Sequence, residues 1–285
     1  MPLFSDILLT VDFDRTFTAP DSSIPQINLE AAAYFMENGG AFTINTGRSL
    51  PMVERNILPY VTVNAPLLLY NGSAAYDVAT GEISQAVPLP VDARTLYEDM
   101  RENFPSLYSE VHGIRAHYLF EKNRDWEIFS ENNNCAWDYA DPDKVEQPFI
   151  KMAVNGHFRG HNVASMYEGT PEELAEIDRV FDYLQEKYGD RMEIFRACPR
   201  IVDIHAKGCS KLAAARTLQK RLGRKLLVCV GDAQNDLAML QGADYAFCPS
   251  DGKIAHLFPN VCCCSQGAVA EVIYKKIPAI LQNNP

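Results

Sequence analysis

The sequence predicts an α/β protein: a core with a parallel sheet flanked by helices, interrupted by an inserted α+β domain. Three observations support this fold class. Apolar strands alternate with amphipathic helices in the N-terminal part, and the same rhythm returns in the C-terminal part. Between them lie alternating, aromatic-rich stretches, which are typical of an antiparallel sheet.

The first half of the core comes from residues 1–83. Its predicted strands and helices are a buried strand at 6–13, a helix at 28–38, a strand at 41–45, a helix at 50–58 and a strand at 66–70. Gly39-Gly40 closes the first helix, and Asn71-Gly72 follows the third strand. Strands separated by helices favour a parallel sheet whose functional site lies at the carboxyl edge.

The inserted domain is predicted over residues 84–205. Helices are expected at 91–103 and 171–187, and strands at 107–111, 117–121, 150–157, 192–196 and 201–205. Thr170 is a suitable N-cap for the long helix, because Glu172 and Glu173 follow in its first turn.

The second half of the core is predicted over residues 206–285. The pattern indicates a helix at 211–222, a strand at 225–230, a short helix at 236–241 and a strand at 245–248. Gly223 stands where a helix commonly ends. The chain therefore divides into a core of 1–83 and 206–285 and an inserted domain of 84–205.

Composition excludes some classes of partner. The 285 residues carry a formal charge of -11, and the isoelectric point is about 5.0. A protein that binds nucleic acid nonspecifically needs a basic face, so no nucleic-acid partner is expected. With 47% hydrophobic residues, the chain can bury a sizeable core as a monomer or a small homo-oligomer.

Neither export nor membrane insertion is expected. Residues 1–10 lack a basic n-region and a small-residue cleavage site. No stretch approaches about 18 uninterrupted apolar residues. The eight cysteines do not show CxxC spacing, and three of them, Cys262, Cys263 and Cys264, are adjacent. The pattern favours reduced thiols in a cytoplasmic protein, and the role of the cysteine run stays open.

Polar residues gather where the core strands end or the core helices begin. They are Asp12, Asp14, Thr46, Gly47, Arg48, Lys211, Asp232, Asn235 and Asp236. Taken singly, each aspartate could be a turn or cap residue, and a lysine at a helix start is usually a surface charge. Taken together they indicate a site, because the carboxyl ends of parallel strands meet at one edge.

The chemistry of this set indicates phosphate transfer assisted by Mg²⁺. Several carboxylates with few counter-charges repel one another, and Mg²⁺ prefers such hard oxygen ligands. A lysine, a threonine hydroxyl and backbone N–H groups suit phosphate oxygens. One carboxylate can attack phosphorus while a second protonates the leaving oxygen. Residues i and i+2 of an extended strand lie on the same side, which explains the spacing of Asp12 and Asp14.

Four motifs in order resemble those of the haloacid-dehalogenase (HAD) superfamily. VDFDRT at 11–16 resembles its DxDxT motif, NTGRS at 45–49 the second, Lys211 in KGCSK the third and GDAQND at 231–236 the fourth. YNGSAAYD at 70–77 and HAKGCSK at 205–211 resemble the Cof-type subfamily. The resemblance implies a HAD-like Rossmannoid core with a C2-type cap inserted between the second and third motifs.

The resemblance also implies a role for each residue. Asp12 would be the nucleophile and Asp14 the general acid and base, and both would contribute to a Mg²⁺ site completed by Asp232 and Asp236. The transferred phosphoryl group would be bound by Thr46, Gly47, Lys211 and Asn235. Arg48 and Asn71 are candidate substrate contacts, and Thr16 is expected to hold the loop.

The function implied is a Mg²⁺-dependent phosphatase acting on a small phosphorylated metabolite through a phosphoaspartate. Sugar phosphates are the leading substrate class, followed by pyridoxal phosphate and flavin mononucleotide. Two alternatives stay open: a phosphomutase acting on a sugar phosphate, and a noncatalytic regulatory protein that binds a phosphate ester. A second aspartate at Asp14 favours the phosphatase or the mutase over the dehalogenase and ion-pump branches.

Other residues are predicted to have structural roles. Arg15 replaces the glycine usual in DxDGT, and we expect an ordinary backbone conformation with an outward side chain, or a side chain at the site entrance. The six histidines show no HExxH spacing, and His205 is expected to be packed rather than to touch substrate. Trp126 and Trp137 are expected in the core of the inserted domain.

Overall fold

The computed structural model describes residues 2–132, 137–145, 148–156 and 169–283. The strands are β1 Ile7–Val11, β2 Ala41–Ile44, β3 Leu67–Leu69, β4 Ala74–Asp77, β5 Glu82–Ala86, β6 Tyr108–Gly113, β7 His117–Leu119, β8 Trp137–Tyr139, β9 Phe149–Asn155, β10 Met192–Cys198, β11 Ile201–Ala206, β12 Leu226–Val230, β13 Tyr245–Pro249 and β14 Asn260–Val261. The α-helices are α1 Gln26–Glu37, α2 Leu50–Asn56, α3 Ala93–Asn103, α4 Arg124–Asn132, α5 Pro171–Tyr188, α6 Lys211–Arg221, α7 Leu237–Gln241, α8 Ala268–Glu271 and α9 Ile277–Asn283.

The described residues divide into two units. The first comprises 1–46, 61–84 and 210–285, and the second comprises 47–60 and 85–209. The second unit thus includes α2, which the sequence pattern alone placed in the core. The domain boundaries predicted from the sequence remain a prediction.

A five-stranded parallel sheet forms the centre of the first unit. Its strand order is β14-β13-β12-β1-β2, with β1 between β12 and β2. All five residues of β1 are buried, as expected for a strand covered on both faces. Apolar residues of α6 and α7 pack with those of β1, β12 and β13 into one hydrophobic core. The predicted α/β fold with a parallel sheet is confirmed.

The strand predicted at 66–70 is not one of the five strands of the parallel sheet. β3 instead pairs antiparallel with β4 in a separate three-stranded sheet, and a single bridge between Asn45 and Leu68 connects it to the end of β2. An apolar run of three residues is equally suited to either partner, so the hydrophobic pattern could not specify the pairing.

The second unit contains a six-stranded sheet of order β10-β11-β9-β6-β7-β8. Its pairs are antiparallel except for β7 with β8. Residues Ile177, Val180 and Leu184 of α5 recur at helical spacing and are buried against the sheet. Thr170 and Glu173 form a capping box at the start of that helix, which confirms the predicted cap.

Two elements of this unit were not predicted. They are α4 and β8, and the chain between them, 133–136, lies outside the described residues. Of the predicted strand at 150–157, His157 also lies outside them. Trp126 of α4 is buried with Leu119, and Trp137 packs edge-on against Trp126, so the core role expected of both tryptophans is confirmed.

Candidate active site

The predicted carboxylates follow the ends of neighbouring strands in the first unit. Asp12 comes directly after β1, and its backbone N–H donates to the carbonyl oxygen of Val230 at the end of β12. Asp232 lies two residues beyond the end of β12. Because β1 and β12 are paired in register, Val11 opposite Val230, the two aspartates are held side by side at the carboxyl edge.

Lys211 brings the third motif to the same place. Its Nζ lies 2.5 Å from Oδ1 of Asp12 and 2.7 Å from Oδ1 of Asp236. Lys211 is the first residue of α6, and the hydroxyl of Ser210 caps that helix by accepting from the N–H of Ala213. A lysine that would be solvated in isolation is therefore buried, with 2% of its surface exposed.

A short turn positions the fourth motif. The carboxylate of Asp236 accepts from the backbone N–H groups of Asp232 and Ala233 at 3.1 and 3.2 Å. This closes the 3₁₀ turn Gln234–Asp236 back on itself and buries Asp236 completely. Gly231 is required here, because a Cβ at this position would lie 2.6 Å from Cβ of Asp236.

Burial and mutual repulsion shift the pKa values of these acids. Burial raises the pKa of Asp12 well above its ordinary value; Lys211 opposes this effect, while Asp236, Asp232 and Asp14 add to it. Burial, together with the charge of Asp236, raises the pKa of Asp232 to about 7. Lys211 therefore compensates only part of the cost of ionising these buried acids.

The carboxylates could hold a metal ion. Oxygen atoms of Asp12, Asp232 and Asp236 all lie within 4.8 Å of one another, and the three residues are buried. Hard oxygen donors of this kind match Mg²⁺. A divalent cation would also favour the ionised forms of Asp12 and Asp232, whose pKa values are raised by burial and by the neighbouring carboxylates. The residues present therefore fit the metal predicted from the sequence.

The remaining predicted residues belong to several parts of the chain. Asp14 follows β1 and Asn235 lies in the turn Gln234–Asp236, and both residues are half-buried. Thr46 is buried after β2, where its N–H donates to the carbonyl of Leu68 and its carbonyl accepts from the N–H of Asn71. Gly47 and Arg48 belong to the second unit.

The backbone of Arg15 differs from expectation. Its φ of 59° and ψ of 13° lie in the left-handed region that favours glycine, so the expected ordinary conformation is wrong. The turn after Asp14 requires this geometry, and the N–H of Arg15 donates to the hydroxyl of Thr18 at 3.2 Å. Thr16 donates to Asp232 at 3.4 Å, consistent with the loop-holding role expected of it.

Asn45 is a positioning residue that the sequence reasoning missed. Its side-chain N–H donates to the backbone carbonyl of Lys211 at 2.9 Å, although 166 residues separate the two. Asn45 is completely buried at the end of β2, so it joins the second motif directly to the third. The sequence feature that could have indicated this role is a polar residue between an apolar strand and Thr46.

A parallel-sheet core with a DxD pair after its first strand and a lysine and further aspartates at the same edge defines the haloacid dehalogenase-like class of hydrolases. The family model of that description matches residues 9–253. The chain belongs to this family, and its predicted identity as a Cof-type hydrolase is confirmed.

Individual relatives agree with this assignment. The chain is 24% identical over 240 residues to a Streptococcus pyogenes protein named "Putative phosphatase M6_Spy0533", covering 82% of this chain and 83% of that one. It is 23% identical over 236 residues to the HMP-PP phosphatase of Serratia proteamaculans, covering 82% and 80%. The solved structure of the HAD subclass IIB sugar phosphatase BT4131 matches with a TM-score of 0.74 at 18% identity, over 95% of this chain and 99% of that chain.

In the described part of the chain, no helix is both long and apolar enough to cross a membrane.

Proposed function

We propose that this hydrolase is a Mg²⁺-dependent phosphatase that acts on a small phosphomonoester through a phosphoaspartate at Asp12. One observation carries the proposal: Asp12, Lys211, Asp236 and Asp232 form a single buried cluster at the sheet edge. Buried charges of this kind destabilise a fold, so their retention indicates chemistry rather than stability.

Mg²⁺ would be held by Asp12, Asp232 and Asp236, with the backbone carbonyl of Asp14 as a further ligand. When bound, the ion would supply positive charge next to the phosphoryl group and lower the pKa of the acids around it. Lys211 and Thr46 would bind phosphoryl oxygens, and Gly47 and Asn235 would add polar contacts to them.

The chain's own residues would divide the reaction into two steps. Lys211 contacts Oδ1 of Asp12, which leaves Oδ2 to attack phosphorus. The bond between phosphorus and the ester oxygen breaks, and Asp14 gives its proton to the departing alcohol. Asp14 then removes a proton from water, which attacks phosphorus and releases phosphate and Asp12.

Sugar phosphates are the proposed substrate class. The sugar phosphatase BT4131 has the same fold over nearly its whole length. Pyridoxal phosphate and flavin mononucleotide are the next candidates to be tested. Arg48 and Asn71 are the proposed substrate contacts.

The deciding experiment is phosphate release from sugar phosphates, pyridoxal phosphate and flavin mononucleotide, measured with Mg²⁺ and with EDTA. We expect metal-dependent release that falls at least about 10³-fold in Asp12→Asn, because the variant lacks the nucleophile. Asp21→Asn is the matched control, since Asp21 is an exposed loop aspartate whose carboxylate accepts from the backbone N–H and the hydroxyl of Ser23.

Trapping the intermediate completes the test. With ³²P-labelled substrate, acid quenching should leave label on the wild-type chain and none on Asp12→Asn. Near-normal turnover by Asp12→Asn would contradict the mechanism. Isomerised substrate without released phosphate would indicate a mutase, and tight binding of the ester without either product a noncatalytic binder.

A cytoplasmic location is also proposed. Five cysteines in the described part of the chain carry free thiols: Cys229, Cys248, Cys262, Cys263 and Cys264. Free thiols in this number favour a reducing compartment. Fractionation of the source cells would test the location, and a monomer or small homo-oligomer is expected on gel filtration.

A further inference from the structure

Three side chains with metal-binding chemistry lie on one face of the sheet in the second unit. Glu110 and His112 are two residues apart on β6, so they point to the same face. His117 of β7 stands directly opposite His112 in the antiparallel register. The side chains of Glu110, His112 and His117 are 11%, 4% and 3% exposed, so water cannot solvate them freely.

The three side chains converge on one point. Nε2 of His112 lies 3.2 Å from Oε1 of Glu110, and Nδ1 of His117 lies 3.6 Å from Oε2. Their ligand atoms all lie within 4.8 Å of one another. A tetrahedral zinc with bonds of about 2.1 Å holds its nitrogen and oxygen ligands about 3.4 Å apart. The two measured separations bracket that value.

Ser49 sets the orientation of one imidazole. Its Oγ lies 2.7 Å from Nε2 of His117, and both residues belong to the second unit. With the Nε2 proton donated to Ser49, the lone pair of His117 is on Nδ1, which faces Glu110. Metal-binding histidines are commonly held in this way, with the second ring nitrogen donating to a neighbouring oxygen.

Two polar atoms of the cluster are not satisfied by hydrogen bonds within it. Within the described residues, Nδ1 of His117 and Oε2 of Glu110 are buried and have no hydrogen-bond partner. Their 3.6 Å separation is too long for a hydrogen bond between them. Buried polar atoms without partners are costly, and both of these atoms are metal ligands by chemistry.

The nearby lysine opposes a cation only in part, because it is paired with a carboxylate. Lys151 stands opposite His112 in the register of β6 and β9. Its Nζ lies 2.7 Å from Oδ2 of Asp203, and both side chains are buried. Because Asp203 neutralises Lys151, Glu110 remains the carboxylate that needs a positive partner on this part of the sheet.

We propose that Glu110, His112 and His117 form a binding site for a divalent transition metal, with Zn²⁺ as the preferred ion. Two imidazoles and one carboxylate suit Zn²⁺, whereas Mg²⁺ prefers oxygen ligands alone. Three protein ligands leave the fourth tetrahedral position for water. All three ligands belong to the second unit, whereas the carboxylate cluster belongs to the first. A bound ion would connect β6 with β7, and Ser49 would orient the ring of His117 toward it.

The test begins with metal content in the Asp232→Asn background, which weakens the carboxylate cluster of the first unit. The full-length chain is dialysed against EDTA, then against micromolar ZnCl₂ with millimolar MgCl₂, and zinc is measured by mass spectrometry. We expect about one zinc per chain. His117→Gln and Glu110→Gln should each bind zinc at least tenfold more weakly, and Ser49→Ala about tenfold. His256→Gln, at an exposed histidine of the first unit, is the control.

A second readout locates the ion without using activity. Both tryptophans of the chain belong to the second unit, and the ring of Trp126 lies 6.5 Å from that of His117. Titration with Co²⁺ should therefore quench tryptophan fluorescence and produce the visible bands of a tetrahedral Co²⁺ site, and Zn²⁺ should reverse both.

Two results would overturn the proposal. One is less than about 0.1 zinc per chain in the Asp232→Asn protein under these conditions. The other is a folded His117→Gln or Glu110→Gln chain, checked by circular dichroism, that keeps the zinc affinity and the Co²⁺ spectrum of its parent. If the variants fail to fold, the metal content and Co²⁺ bands of the Asp232→Asn protein decide alone.

Discussion

Arg15 shows at the scale of one residue how a motif can keep its geometry without its usual amino acid. The loop after β1 needs a left-handed residue between Asp14 and Thr16, and an arginine occupies that conformation here. The left-handed region costs a residue with a Cβ roughly 1 kcal/mol or more. Strain of this kind concentrates at functional sites, where the surrounding structure imposes it.

Comparing two substitutions at this position measures the strain. Arg15→Gly should have a free energy of unfolding roughly 0.5–1 kcal/mol higher than Arg15→Ala, because both remove the side chain and only glycine relieves the backbone. Urea unfolding of the two variants gives the difference. Equal stability, or a more stable alanine variant, would show that the left-handed backbone is not strained in solution.

At the scale of elements, the loop after β3 and the start of α6 depend on each other. Tyr70, Asn71 and Gly72 all have positive φ, and Gly72 approaches the backbone of Ser210, the residue that caps α6. Lys211 follows that cap, so the loop helps to place the buried ammonium group next to Asp12.

Gly72→Ala should disturb this arrangement. A Cβ there would lie 2.2 Å from the carbonyl oxygen of Ser210, on a backbone with φ of 95°. We expect unfolding free energy to fall by about 2–4 kcal/mol and phosphatase activity to fall with the displacement of Lys211. The readouts are urea unfolding and phosphate release.

Gly81→Ala provides the control for that substitution. Gly81 also has a positive φ, 73°, but a Cβ there meets nothing within 4 Å. The free energy of unfolding of Gly81→Ala should fall only by the backbone contribution of about 1 kcal/mol, and the variant should keep full activity. Equal effects at positions 72 and 81 would contradict the role assigned to close packing against Ser210.

A buried carboxylate links α3 to α5 in the second unit. Asp99 of α3 accepts from Tyr183, Lys187 and Tyr188 of α5, at 2.5–2.8 Å. Burial tends to raise the pKa of Asp99, but the hydrogen bonds from Lys187, Tyr183 and Tyr188 outweigh it and hold the pKa below its ordinary value. The ionised form is therefore the one that stabilises the fold.

Asp99→Asn should lower the free energy of unfolding by about 1–3 kcal/mol at pH 7. Because the folded protein holds Asp99 ionised more strongly than the unfolded chain does, this contribution is complete above about pH 4 and is lost as pH falls further. The difference in free energy of unfolding between wild type and variant, measured with urea, should therefore shrink as the pH is lowered from 7 to 3.

Asp178→Asn is the control for this pH series. Asp178 also lies on α5, and its carboxylate is 3.0 Å from Arg196, but its side chain is 68% exposed. An exposed ion pair contributes at most about 1 kcal/mol, so the variant should remain close to wild type. A pH-independent loss in Asp99→Asn would contradict the ionic origin of its effect.

At the scale of the whole molecule, the alternation of strands and helices anticipated most of the fold. The predictions came within a few residues for four strands of the parallel sheet, for the long helix α5 and for five strands of the six-stranded sheet. Each of these elements shows its hydrophobic period in the local sequence. The helices α4, α8 and α9 and the short strands β4, β5, β8 and β14 were not predicted, because short segments carry too little periodic signal.

The sequence by itself determined the family, the order of its four motifs and the acidic, lysine-containing character of the site, because these depend on residue type and local period. Tertiary structure alone decided which residues meet. Lys211 reaches Asp12 across 199 positions of sequence, and His117 reaches Glu110 and His112 only through the register of β6 and β7. Pairing and burial of this kind depend on long-range packing, which no local pattern specifies.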